Sequence, residues 1–148
     1  MTRPVDRPVV VLLVEDNEGD VLLTREAFDE GKVAVELHVA EDGDAAVEHL
    51  RLAGTPGGPP MPDMVLLDWN LPGVPGIEVL RTIRGDERVK HLPVIVLTTS
   101  RAPEDVIAAY REHASSFISK PVDPDEFLGA VRGIESYWLT IVRLPGTS

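Results

Sequence analysis

The chain has 148 residues, 43% of them hydrophobic and 26% charged, with a net charge of −11 and no cysteine. That length and balance suit one globular domain with its own core, and the lack of cysteine excludes disulfides, thiol catalysis and thiolate metal sites. The excess of acids repels phosphates, which argues against nonspecific binding to nucleic acid or anionic membranes and leaves a metal cation or a basic protein surface as the natural partner.

The first apolar run, VVVLLV (9–14), predicts a strand that stops at Glu15-Asp16-Asn17. It is too short to span a membrane and lacks a cleavage site, so a cytoplasmic protein is expected. A helix follows from about Glu18 to Glu30, then a second strand, VAVELHVA (33–40), and a short helix near Asp44–Leu52. GTPGGPPMP (54–62) is a loop, because four prolines and three glycines cannot build an element interior. MVLLD (64–68) predicts the third strand. Gly76, Val79, Leu80 and Ile83 then fall at i, i+3, i+4, i+7, one stripe of a third helix. PVIVLT (93–98) predicts a fourth strand, Pro103–Glu112 a fourth helix and SFIS (116–119) a short fifth strand. Phe127, Val131, Ile134 and Trp138 line one face of the last helix.

Five strands alternating with helices predict βαβ units and a parallel sheet covered on both faces. The near-continuous apolar strands agree, since such strands are buried on both sides. Ligands of such sheets bind beyond the carboxyl ends of the strands. Those ends carry Glu15 and Asp16, then Asp68, then Thr98, then Lys120. If the strands are neighbours, three carboxylates converge, and they repel unless a cation lies among them. Oxygen-only donors favour a hard ion, and Mg²⁺ suits a shallow site that keeps several waters. Asp68, with a metal, a hydroxyl and an ammonium close by, is equipped to accept a phosphoryl group.

Each residue also has a bland reading. Asp16 or Asn17 could cap the next helix, Asp68 could be a turn acid before Leu-Pro-Gly, and Lys120 could be a solvated lysine. It is the joint, ordered pattern that favours a site. His38, His49, His91 and His113 show no metal-ligand spacing, and no nucleophile elbow or Walker sequence is present.

EDN after the first strand, LLDWNLPGVPG around Asp68, PVIVLTTS and SFISKP together resemble the CheY-like receiver domain of two-component response regulators, over about residues 8–135. The resemblance implies a flavodoxin-like, doubly wound five-stranded sheet of order 2-1-3-4-5. It implies Asp68 as phosphoacceptor from a sensor histidine kinase, and Mg²⁺ bound by Asp16 and Asp68, by Glu15 directly or through water, and by the Asn70 backbone carbonyl. Thr98 and Lys120 would each bind a phosphoryl oxygen, Phe117 would be the aromatic switch that fills the space Thr98 vacates, and the Lys120–Pro121 peptide would be cis. Pro75 stands where many relatives have Asp or Asn and should stiffen the loop after Asp68. Ser100, with Asn70, flanks the path of a hydrolytic water.

LLVEDNEGDVLLTREAFDE, the long Pro/Gly loop and GIESYWLTIVRLP are similar to the small stand-alone regulators paired with phytochrome-type kinases. In that group the face of the fourth helix, fifth strand and fifth helix commonly dimerises. Tyr137, Leu139, Ile141, Val142 and Leu144 remain apolar after the core stripe is assigned. Residues 136–148 are therefore expected to be docked on a single 1–148 domain or covered in a homodimer. Three alternatives stay open: a phosphate-independent interaction module, a flavin-binding protein of the same fold, and an aspartate-nucleophile phosphohydrolase. The last wants an acid two residues after its nucleophile, where this chain has Asn70; the chain is therefore not expected to be an enzyme beyond its own phosphorylation and dephosphorylation.

Overall fold

The computed structural model describes residues 8–31, 33–99, 102–121 and 123–141, with side chains of the last helix described to residue 136. Five strands and five helices alternate: β1 (Val9–Val14), α1 (Glu18–Asp29), β2 (Val35–Ala40), α2 (Gly43–Leu52), β3 (Met64–Leu67), α3 (Gly76–Gly85), β4 (Val94–Thr98), α4 (Pro103–Arg111), β5 (Ser116–Ser119) and α5 (Pro124–Ile141). The strands form one parallel sheet of order β2-β1-β3-β4-β5, the flavodoxin-like arrangement that the resemblance implied.

Side chains alternate across the sheet. Leu12, Val14, Val65, Leu67, Val94 and Val96 face one way and pack on Ala46 and Leu50 of α2, on Val79, Leu80 and Ile83 of α3, and on Ala109 of α4. Val11, Leu13, Met64, Leu66, Ile95 and Leu97 face the other way, onto Ala27 and Phe28 of α1 and Phe127, Val131 and Ile134 of α5. All four stripe positions of α3 are buried, as their spacing predicts.

Double-sided burial holds for β1, β3 and β4 but not for the edges. β2 keeps only Ala40 fully buried and β5 is half-buried throughout, because an edge strand has one flank without a neighbour. β2 also starts at Val35, two residues later than its apolar run. Between α2 and β3, the Pro/Gly segment is a loop as its composition predicts, with Gly54 at φ 75° and Gly57 at φ 78°.

Hydrogen bonds from two arginines tie the α2–α3–α4 side together. The Arg84 guanidinium donates to the carbonyls of His113 (2.9 Å), Lys90 (2.9 Å) and Leu92 (2.7 Å). Arg88 donates to the carbonyls of Leu50 and Ala53, where α2 leaves its last carbonyls without helical partners.

Candidate functional site: an acidic cleft at the strand ends

Parallel register decides which residues meet. Val14 of β1 lies opposite Leu67 of β3, and Leu67 lies opposite Val96 of β4. The next residues, Glu15 and Asp68, therefore emerge side by side at the carboxyl edge. Asp68 is still tied to the ladder, its N–H donating to the Val14 carbonyl at 3.0 Å. Thr98 ends β4, and the N–H of Lys120, just past β5, donates to the Thr98 carbonyl at 2.6 Å. The resulting open cleft is lined by Glu15, Asp16, Asn17, Glu18, Asp20, Asp68, Asn70, Thr99 and Lys120.

Asn17, not Asp16, caps α1: its side-chain oxygen accepts the Asp20 N–H at 2.9 Å. Asp16 is left exposed at the cleft, while Glu15 and Asp68 are buried at 3% and 8% exposure. Carboxylate oxygens of these three residues lie within 4.8 Å of one another. All are hard oxygen donors, and one acid keeps its access to solvent. That donor set fits a divalent cation of the Mg²⁺ class.

Lys120 is the one ammonium in this lining, and it is only 5% exposed. It donates to Glu15 Oε1 at 2.5 Å and to Asp20 Oδ2 at 2.8 Å, and lies 3.6 Å from Asp68 Oδ2. The Glu15 carboxyl is raised to about 7: burial is the largest cause, the Lys120 ammonium opposes it and the neighbouring Asp68 adds to it. Burial alone would lower the Lys120 ammonium, but its hydrogen bonds to Asp20 and Glu15 outweigh that and raise it.

Asn70 links the other two groups. Its backbone N–H donates to Asp68 Oδ1 at 3.1 Å, and its side-chain amide donates to Thr98 Oγ1 at 3.1 Å. Thr98 is fully buried. Phe117 is half-buried, packs against the core under α4, and donates its N–H to the Tyr110 hydroxyl at 3.2 Å.

The structure therefore brings together Glu15, Asp16, Asp68, Asn70, Thr98 and Lys120. Asp20 is the member that sequence reasoning missed, because an acid in a first helical turn reads as a partner of the helix dipole. One implied feature is corrected: no peptide bond among the described residues is cis, so Lys120–Pro121 is trans, the form X–Pro bonds favour by about 0.5–1 kcal/mol. Ser100 and the side chains of residues 137–148 lie outside the described residues.

An acidic cleft with a buried carboxylate, hydroxyl and lysine at the carboxyl edge of this sheet is the arrangement that the resemblance to receiver domains implied. The family model for the response regulator receiver domain matches residues 11–132. The chain belongs to that family. It is 41% identical over 145 residues to response regulator Rcp1 of Synechocystis sp., covering 98% of this chain and 99% of that protein. It is also 41% identical over 139 residues to the probable methanogenesis regulatory protein FilR2 of Methanothrix harundinacea, covering 94% of this chain and 89% of that one. The crystal structure of phosphorylated RcpA, a cyanobacterial phytochrome response regulator, matches with a TM-score of 0.84 at 37% identity, covering 90% of this chain and 95% of that one. The Mn²⁺-bound form of Rcp1 matches with a TM-score of 0.83 at 40% identity, over 90% of this chain and 96% of that one.

Proposed function

We propose that the protein is a phosphorylation-operated switch in which Asp68 takes a phosphoryl group from a phosphohistidine of a sensor kinase. The observation that carries this reading is the pairing of buried Asp68 with Glu15 and Asp16 on one side and with the Lys120 ammonium on the other. An Asp68 carboxylate oxygen attacks phosphorus in line, the P–O bond forms as the P–N bond breaks, and the leaving imidazole takes up a proton. Glu15, Asp16 and Asp68, with the Asn70 backbone carbonyl, would hold Mg²⁺, which supplies charge neutralisation on the transferring phosphoryl oxygens. Thr98 and Lys120 each bind one phosphoryl oxygen by donating a hydrogen bond. Phe117 takes up space beside Thr98 as the hydroxyl turns toward the phosphoryl group. The surface of α4, β5 and α5 is then the two-state element that the modification biases.

The likeness to RcpA supports a phytochrome-type kinase as the phosphoryl source. Residues Ile107 and Tyr110, exposed at 56% and 49% on one face of α4, support a homodimer through the α4-β5-α5 face. No described helix is long and apolar enough to cross a membrane, which fits a cytoplasmic regulator.

Intact mass after incubation with acetyl phosphate and Mg²⁺ tests the acceptor. The wild type should gain one phosphoryl group, and neither Asp68→Asn nor the EDTA-treated protein should. A gain in Asp68→Asn would move the acceptor elsewhere, and no gain in any sample, with no beryllofluoride binding, would leave a phosphate-independent module.

A further inference from the structure

Lys120 has three N–H donors to place, and in the resting protein two of them go to acids on or next to α1. Glu15 Oε1 and Asp20 Oδ2 accept at 2.5 Å and 2.8 Å, whereas Asp68 Oδ2, at 3.6 Å, is beyond hydrogen-bond reach. The ammonium is thus displaced toward α1 and away from the carboxylate that it must serve. Asp20 is built for this task. Its own N–H is held by the Asn17 cap at 2.9 Å, and its carbonyl accepts the hydroxyl of buried Thr24 at 2.7 Å, so its backbone is fixed on both sides. It lines the cleft, yet it is not one of the three acids whose oxygens cluster within 4.8 Å.

We propose that Asp20 is a positioning residue that tethers the Lys120 ammonium on the α1 side of the cleft and releases it when a phosphoryl group arrives at Asp68. This rests on the phosphoacceptor reading of the site. The two tethers differ in how readily they let go. The Glu15 side chain is 4% exposed, so breaking its bond leaves a charge in a dry place; the Asp20 side chain is 24% exposed, and water replaces the lysine there at little cost. Asp20 is therefore the bond that breaks. Its strength opposes the transfer of Lys120 to a phosphoryl oxygen and keeps the unphosphorylated state favoured.

The test is a double-mutant cycle read by the affinity for beryllofluoride at saturating Mg²⁺, followed by tryptophan fluorescence, since Trp69 adjoins Asp68. Asp20→Asn and Asp20→Ala should each bind about 1.5- to fivefold more tightly than the wild type, the range for losing one partly exposed ion pair. In a Lys120→Met background the same Asp20 substitutions should change the affinity by much less, because the effect runs through the ammonium. Equal tightening with and without Lys120 would mean that Asp20 only repels the anion through space, and would overturn the tether. Unchanged or weaker binding in Asp20→Asn, with its circular dichroism intact, would also overturn it. A merely structural role lowers the thermal midpoint but does not tighten binding. If the wild type itself binds no beryllofluoride, the phosphoacceptor reading fails and the tether with it; binding by the wild type without the Asp20 effect removes the tether alone.

Discussion

Glu15 shows how one side chain would join stability to the proposed metal. Its carboxyl is raised to about 7, chiefly by burial, above the 4.5 of an unperturbed glutamate. The folded state thus prefers the protonated form more than the unfolded chain does. The stability associated with this group is fully present below pH 4.5 and is lost as pH rises through about 7. In the metal-free protein, thermal midpoints should fall between those pH values, and Glu15→Gln should flatten that part of the curve. Mg²⁺ should restore the midpoint of the wild type on the alkaline side, and EDTA should remove that gain. An alkaline loss as steep in Glu15→Gln as in the wild type would assign the effect to another group.

Where α3 begins, the contact that matters is between backbones. A Cβ on Gly76 would lie 2.8 Å from the Asp68 carbonyl oxygen and 2.8 Å from the Trp69 Cα. Neither can move as a flexible side chain would. The Gly76 N–H also donates to the Trp69 carbonyl at 3.1 Å, so the start of the helix rests on the chain that carries Asp68. Gly76→Ala should cost about 1–3 kcal/mol in denaturant unfolding. It should also slow phosphorylation by acetyl phosphate in the fraction that remains folded, because displacing the Asp68 backbone would misplace the proposed acceptor carboxylate. Pro75, the N-cap of α3, accepts the N–H groups of Glu78 and Val79 at its carbonyl and makes no side-chain cap. The stiffening expected of it therefore acts on the same short connection.

For the assembly, the informative residues are those of α4 that the core does not use. Ile107 and Tyr110 are three apart, on one helical face, and about half exposed. Tyr110 also accepts the Phe117 N–H, so the proposed contact face is continuous with the edge strand that carries Phe117. Sedimentation analysis should find the wild type dimeric and Ile107→Lys monomeric, with Asp68 still phosphorylated at the wild-type rate by acetyl phosphate. A wild type that stays monomeric with and without beryllofluoride would remove this interface.

The elements and their order were legible in the amino acids, because parallel strands buried on both faces read as unbroken apolar runs and the α3 stripe recurs at helical spacing. The acids, hydroxyl and lysine were legible for a related reason: each comes at or just past the end of a strand, and strand ends are places the chain order already names. Edge exposure of β2 and β5 was not, since lateral position in a sheet is a property of neighbours and leaves little mark on six or four residues. Nor was the choice of Asn17 over Asp16 as cap, which depends on where the first helical turn aims its N–H groups. Asp20 is the clearest case. Its partner Lys120 lies 100 positions away in the chain, and only the packing of α1 beside the end of β5 brings the two charges into hydrogen-bond contact.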